Sequence, residues 1–117
     1  MRYMCLMKSS ETNGETPPAV YAAMAEYDRW GRATGVLVDS HGLLPSEAGM
    51  IVSLVDGSIK AVDGPFTEAK ELVGGYAVID VRSRDEALEL GRRLMQIHKD
   101  HWPGFVGSVE IRQIAEF

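Results

Sequence analysis

The sequence predicts an α+β fold of the ferredoxin-like type, with two helices on one face of a mostly antiparallel sheet. Three observations support this prediction. The 117 residues fit a single domain, which we take to span residues 1–117. Two segments repeat apolar residues at helical spacing, and short apolar segments lie before, between and after them. The resulting order is strand, helix, strand, hairpin, strand, helix, strand, which is typical of this sandwich.

The first strand and the first helix are predicted from the N-terminal third of the chain. Residues 3–8 alternate between two sets of apolar side chains, so we expect both faces of this strand to be covered. Thr16 is a candidate N-cap, and a proline in the first turn loses no needed hydrogen bond. We predict a helix from about Pro17 to Thr34, ended by Gly35 in the left-handed conformation. Its apolar face comprises Val20, Ala23, Met24, Tyr27, Trp30, Gly31 and Thr34.

The middle of the chain contains strands joined by a tight turn. A second strand is predicted over residues 36–44 and a third over residues 50–55. Asp56-Gly57 is a strong hairpin signal, because both central residues of that turn need positive φ. Residues 58–63 should therefore return as the partner strand.

The last third of the chain repeats the pattern of strand, helix and strand. Residues 76–81 form the next predicted strand, and Ser83 with Glu86 forms a capping box. The helix that follows should end at residues 102–104, before a final strand over residues 105–114. Its apolar face comprises Ala87, Leu90, Gly91, Leu94, Ile97 and His98. The second face of the sheet then lacks cover, and we expect a homodimer to supply it.

Composition limits the classes of partner. The net charge is −5, with scattered basic residues, so we expect no nucleic acid and no anionic membrane as partner. Cys5 is the single cysteine, which excludes an intramolecular disulfide and fits a reducing cytoplasm. We expect it to be a small buried apolar residue. No apolar stretch is long enough for a signal-peptide core or a membrane span.

Asp39 and His41 are the candidate catalytic pair. In an extended segment they project to the same side, and a carboxylate beside a histidine fixes its tautomer and raises its basicity. Such pairs transfer protons in acid–base catalysis. The alternative is that they are two polar residues at a strand end.

Other polar residues alternate on predicted strands or lie near a helix end. Two pairs of residues alternate on predicted strands, so each pair faces one side of the sheet: Tyr76 with Asp80, and Glu110 with Arg112. In a dimer cleft, Arg112 could bind a carboxylate of the substrate. The alternative is that Arg112 and Glu110 form an ion pair at the rim of the sheet. His98 and His101 could share a metal with help from Asp100. His98 also lies on the apolar face of its helix, and we expect no metal and no cofactor.

Asp63-Gly64-Pro65-Phe66 is the most specific motif. Turn chemistry explains it: Asp63 can accept backbone hydrogen bonds two or three residues on, and Gly64 permits unusual backbone angles. Pro65 fixes the exit direction, and Phe66 can fill the core. Residues 67–71 could form one helical turn capped by Thr67. In the functional alternative, Asp63 and Glu71 are polar walls of a substrate-binding pocket beside the hairpin, with Tyr76 and Arg112.

This motif lies in a longer string, Val62-Asp63-Gly64-Pro65-Phe66-Thr67-Glu68-Ala69-Lys70-Glu71, followed by Gly74-Gly75-Tyr76. Flanking matches are Tyr3-Met4, Gly35-Val36-Leu37, Gly42-Leu43 with Pro45, and Val109-Glu110-Ile111-Arg112. With these residues the chain resembles the YCII-related family, and within it the branch named for the DGPF motif. The resemblance covers nearly the whole chain. It implies a dimeric α/β barrel, in which two ferredoxin-like subunits press their open sheet faces together.

The resemblance implies two kinds of function. Superfamily members include isomerases and other enzymes that need no bound metal, which suggests a cofactor-independent lyase or isomerase acting on a small molecule. Asp39 and His41 would transfer the proton and Arg112 would anchor the substrate. Classical members carry a histidine near the start of the first helix, which the segment Thr16–Tyr21 lacks, so that residue is not carried over. The alternative is a non-catalytic module linked to an extracytoplasmic-function sigma factor.

Overall fold

A computed structural model describes residues 1–66 and 71–116, and it has the predicted order of elements. The predicted helical turn at residues 67–71 falls, apart from Glu71, outside the described residues. Short 3-10 turns occupy Glu11–Asn13 and Ser46–Ala48. The strands and helices are β1 Arg2–Ser9, α1 Pro18–Ala33, β2 Leu37–Gly42, β3 Met50–Val55, β4 Ser58–Asp63, β5 Leu72–Asp80, α2 Arg84–His101 and β6 Gly107–Gln113.

The main sheet has four strands in the order β2-β5-β1-β6, and all neighbouring strands are antiparallel. This order, with helices after the first strand and before the last, is consistent with a ferredoxin-like fold. The hairpin β3–β4 forms a second, two-stranded sheet of its own. The prediction of a single sheet is therefore corrected, because local patterns predict a hairpin but not the sheet that it joins.

One face of the main sheet packs against the helices. Tyr3 and Cys5 of β1 and Ile79 of β5 are buried on this face, together with Ala87 of α2. Half-buried side chains of β2, β5, β6 and α2 surround them. Successive residues of a strand point to opposite faces, so Met4 and Leu6 lie on the other, open face. They are half-buried there.

The two helices begin differently. Ser83 caps α2 as predicted, since its hydroxyl accepts a hydrogen bond from the Glu86 N–H at 3.1 Å. The predicted cap of α1 by Thr16 is wrong. That helix begins at Pro18, its N-cap residue is Pro17, and no side chain caps it. Gly35 has a φ of 78° and ends the helix as expected.

The Asp63–Phe66 motif packs against the turn at residues 46–48. Ser46 is buried, and its hydroxyl accepts a hydrogen bond from the Phe66 N–H at 3.0 Å. Glu11 accepts from the Ser46 N–H at 2.6 Å and from its hydroxyl at 3.0 Å. A side chain at Gly64 would collide with the Ser46 carbonyl. The N–H three residues after Asp63 thus donates to Ser46, and the motif joins the base of the hairpin to the loop after β1.

Candidate small-molecule site

The predicted pair Asp39 and His41 comes together on the open face of the main sheet. The Nε2 atom of His41 lies 3.0 Å from Oδ1 of Asp39. The register places His41 opposite Tyr76, and the two rings lie 5.7 Å apart between centroids. The Tyr76 hydroxyl donates to Oδ2 of Asp39 at 3.5 Å. Two adjacent strands therefore place a carboxylate, an imidazole and a phenol in one cluster, which we call the Asp39 cluster.

The contacts of Asp39 define how His41 is oriented. Oδ1 also accepts a hydrogen bond from the Ser40 N–H at 3.0 Å, which fixes the carboxylate against its own backbone. A carboxylate close to Nε2 favours the proton on that nitrogen and leaves Nδ1 free to accept one. The imidazole side chain is 63% exposed, so Nδ1 remains accessible to a substrate. This arrangement is suited to proton transfer.

A second polar cluster lies across the same face. Lys8 donates to Glu110 at 2.7 Å, and Arg112 lies 3.8 Å from the same carboxylate. The hydrogen bond from Lys8, followed by its positive charge, lowers the pKa of Glu110. Arg112 is thus part of an ion pair at the edge of the sheet, and its side chain is 75% exposed.

Arg112 and the Asp39 cluster are not close to each other. Asp39 pairs with Val78 of β5, Val78 pairs with Met4 of β1, and Met4 pairs with Arg112 of β6. At about 4.8 Å between neighbouring strands, these three steps place roughly 14 Å between the two backbones. A small substrate held at His41 therefore does not reach Arg112 within one chain.

The other predicted site residues lie elsewhere. Asp63 is exposed at the end of β4, opposite Met50, and Glu71 is exposed just before β5. Neither lines the cavity described below. Asp80 lies on the open face with Tyr76 and contacts the N-terminal amine at 3.3 Å.

A cavity of about 220 Å³ lies between the two helices and the main sheet. Its lining is mainly apolar; His41 and Tyr76 also border it, although the strand register sends their side chains to the open face. Each helix comes close to the sheet at a glycine, Gly31 against Leu37 and Gly91 against Ile111, where a Cβ atom would crowd the strand. Further lining residues are Cys5, Met7, Met24, Tyr27, Asp28 and Leu94.

Two ionisable groups of the cavity are held neutral. Burial raises the pKa of the Cys5 thiol to about 11, so the thiol is not a nucleophile at neutral pH. The burial of Cys5 confirms the prediction that it is a small buried apolar residue. Burial also raises the pKa of Tyr27 to about 12, against an opposing effect of Arg93. The Tyr27 hydroxyl donates to the Leu90 carbonyl at 2.7 Å and links the two helices.

Asp28 and Ser40 line the cavity, and neither is among the predicted site residues. Two signals in the sequence could have found them. Asp28 lies four residues after Met24 and three before Gly31, so it falls on the apolar face of α1. Ser40 lies between Asp39 and His41, and alternation sends it to the helix side, where it pairs with Ala77.

His98 belongs to the core rather than to a metal site. It is 6% exposed, its Nδ1 lies 2.8 Å from the Leu94 carbonyl, and its ring packs 4.7 Å from that of Phe105. His101 is exposed. Within residues 1–66 and 71–116, no three acidic, histidine or cysteine side chains gather to hold a metal ion. Among the same residues, no helix combines the length and the hydropathy needed to cross a bilayer.

Comparison with known proteins gives two findings. The chain is 36% identical over 73 residues to the uncharacterized protein R00369 of Rhizobium meliloti (strain 1021). That match covers 62% of this chain and 55% of R00369, so only about half of that relative is matched. The model of the YCII-related domain matches residues 1–117. The chain therefore belongs to the YCII-related domain family.

Proposed function

We propose that this protein binds a small, mainly apolar molecule in the cavity between its helices and its main sheet. The observation that carries the proposal is the volume of about 220 Å³ with a mostly apolar lining. It exceeds the cavity of about 150 Å³ that stays dry and binds benzene in another protein. Ligand sites are typically apolar clefts or cavities with a few polar groups. Asp28 and Ser40 supply polar groups for orienting a hydroxyl or carbonyl group.

The chemistry that fits the Asp39 cluster is proton transfer by a cofactor-independent lyase or isomerase. His41 lies 3.0 Å from Asp39 on the open face of the main sheet, on the opposite side of the sheet from the cavity. In this proposal Nδ1 of His41 removes a proton next to a carbonyl group, and Asp39 stabilises the imidazolium that forms. Tyr76 holds the carboxylate in place.

Deuterium exchange of a small cyclic ketone tests this proposal. Cyclohexanone incubated in D₂O with the protein should gain deuterium at the α-carbon faster than in buffer alone. His41→Asn should slow the exchange by about 100-fold or more, the usual contribution of a positioned base. The matched control is His101→Asn, which changes an exposed histidine of α2 and should leave the rate unchanged.

Ligand binding is measured separately by NMR titration with benzaldehyde and indole. Shifts in amides of the cavity lining would support the binding proposal. Binding without ketone exchange would contradict proton transfer and leave a binding function. Absence of both effects would contradict the proposed function as a whole.

The finer assignments belong to the same proposal. Asp63-Gly64-Pro65-Phe66 supports membership of the DGPF branch. Apolar Met4, Leu6 and Val78 on the open face support a dimeric α/β barrel, in which a second subunit covers that face. Cys5, a free and buried thiol, is compatible with a reducing cytoplasm.

The second candidate function is a non-catalytic interaction module, with a sigma-factor-linked protein as the partner. The exposed apolar side chains of the hairpin favour it, because surfaces of this kind mark interaction sites. If it is correct, Asp39→Asn and His41→Asn should leave partner binding unchanged, and changes on the hairpin should abolish it.

A further inference from the structure

Asp28 brings a negative charge to the helix side of the cavity. It is half-buried on α1 and belongs to the lining, whose other members are mostly apolar. Among the described residues, the lining includes no lysine and no arginine. Cys5 and Tyr27 are neutral at neutral pH, because burial raises their pKa values to about 11 and about 12. The Asp28 carboxylate therefore makes this side of the cavity negative.

The position of Asp28 around α1 places it at the rim of the cavity. Tyr27 and Trp30 mark the flank of α1 that faces α2, because Arg93 of α2 lies 4.8 Å and 4.2 Å from their rings. Asp28 follows Tyr27 by one residue, which turns a helix by about 100°. This turn leads away from Trp30. Asp28 therefore lies on the other flank of α1, over the side of the sheet where β2 is the edge strand.

Ser40 lies on β2 beneath this flank. Gly31 packs against Leu37, so the turn of α1 before Gly31 lies above the part of β2 that follows Leu37. Asp28 belongs to that turn, and Ser40 is the helix-side residue of that part of β2. In the part of the chain that the structure describes, neither the Asp28 carboxylate nor the Ser40 hydroxyl has a hydrogen-bond or ion-pair partner. Both groups are thus available to a ligand.

The cavity opens beside Ser40 at a pair of glycines. Gly42 and Gly75 pair across β2 and β5, and they take the next helix-side positions after Ser40 and Ala77. Both glycines belong to the lining. A Cβ atom at Gly42 would meet no heavy atom within 4 Å, so there is open space at this end. A ligand that enters here places its apolar part inside and keeps a polar group at the rim.

We propose that the ligand of this cavity is a small apolar amine, whose ammonium group pairs with Asp28 at the rim. The inference rests on the proposed binding function and names the class of ligand. A carboxylate only accepts hydrogen bonds, so the group beside Asp28 has to be a donor. An ammonium group donates up to three hydrogen bonds and balances the charge, whereas the Ser40 hydroxyl accepts one of them. The apolar part occupies the volume of about 220 Å³.

Charge separates this class from other ligands of the same shape. An anionic ligand is repelled by Asp28 and by a protein whose net charge is −5. A neutral alcohol donates one hydrogen bond to Asp28 but leaves its charge unbalanced. The half-buried carboxylate keeps part of its hydration, so binding does not require complete desolvation of the ion pair. We therefore expect affinity to fall from amine to alcohol to carboxylate.

Three probes of matched shape test the proposal: benzylamine, benzyl alcohol and benzoate. NMR titration of the lining amides at neutral pH gives a Kd for each probe. The wild type should bind benzylamine about tenfold more tightly than benzyl alcohol, as expected for a hydrogen bond between charged groups. It should bind benzoate most weakly. Asp28→Asn should remove the preference for benzylamine and leave the affinity for benzyl alcohol nearly unchanged.

Glu26→Gln is the matched control. It removes the same charge from the same helix, but Glu26 is exposed, lies in the outer groove between α1 and α2, and does not line the cavity. This variant should keep the wild-type preference. Equal affinity of the wild type for benzylamine and benzyl alcohol would overturn the proposal. A preference that Asp28→Asn retains, or that Glu26→Gln also loses, would overturn it too.

If Asp28→Asn does not fold, intermolecular NOEs on the wild type decide. NOEs between the methylene protons of benzylamine and Asp28 support the proposal, and NOEs to other residues alone contradict it. The result also separates this inference from the proposed function. Binding of benzyl alcohol without a preference for the amine contradicts only the ligand class, whereas no binding of either probe contradicts both.

Discussion

At the scale of single residues, Gly64 shows why the Asp63–Phe66 motif has its composition. The backbone at this glycine passes so close to the Ser46 carbonyl that a Cβ atom has no room. The Gly64 N–H donates to the Gly49 carbonyl at 2.9 Å, so the segment cannot move away without losing a hydrogen bond. Close approach of two backbones explains this position without any role in catalysis.

Gly64→Ala should therefore destabilise the protein by about 3 kcal/mol, through a clash that the backbone must shift to relieve. Urea denaturation measures the change. Gly74→Ala is the matched control, because a Cβ atom there meets no heavy atom within 4 Å. Equal stability of the two variants would contradict the packing described for the motif.

Cys5 should make stability depend on alkaline pH. Burial raises its pKa from 9.0 to about 11 in the folded state, so the unfolded chain loses this proton first as pH rises. The free energy of unfolding should be unaffected by this group below pH 9 and should fall by on the order of 2 kcal/mol between pH 9 and 11. Cys5→Ala should reduce the loss in denaturation curves across this range. An unchanged slope would show that the thiol is not the cause.

Alternation along one strand predicted that Asp39 and His41 project to the same side, and in the structure the two side chains are in contact. It could not predict that Arg112 lies three strands away, because the distance depends on strand order. It also did not identify Ser40, whose side chain faces the cavity side of the same strand. Local spacing shows which residues share a face of one strand, whereas a site is assembled across strands.

At the scale of elements, the two helix starts show the limit of reading caps from residue types. Both Thr16 and Ser83 have the side chain of a cap, but only Ser83 accepts a backbone hydrogen bond. At α1, Pro17 occupies the N-cap position and its ψ of 145° is extended, so Thr16 lies one residue too early. Helix boundaries decide which residue caps, and sequence patterns predict boundaries only to within a few residues.

Replacing Ser83 and Thr16 with alanine, one at a time, should have different effects on the free energy of unfolding. Ser83→Ala should cost about 1 kcal/mol, because the Glu86 N–H loses its acceptor. Thr16→Ala should change stability by less than about 0.5 kcal/mol, as at surface positions without such contacts. Chemical denaturation of both variants under one condition provides the measurement. A cost at Thr16 as large as that at Ser83 would contradict the cap assigned to α1.

At the scale of the whole molecule, the cavity follows from how the helices are held over the sheet. Gly31 and Gly91 bring each helix close to a strand, and the Tyr27 hydroxyl ties α1 to the Leu90 carbonyl of α2. Arg93 stacks 4.8 Å from the Tyr27 ring and 4.2 Å from the Trp30 ring. Fixed contacts on several sides keep a space open that the side chains between them do not fill. Sequence periodicity predicts the apolar faces but not the volume left between them, because that depends on the spacing of the layers.

Filling this space should stabilise the protein and abolish ligand binding together. Leu94→Phe, which enlarges a side chain of the lining, should raise the free energy of unfolding by about 1 kcal/mol. Leu88→Phe is the matched control, since Leu88 lies on the same helix, is 44% exposed and does not line the cavity. Denaturation and NMR titration with benzaldehyde measure both properties. If Leu94→Phe binds benzaldehyde as well as the control does, the ligand occupies another part of the molecule and the cavity is a packing defect.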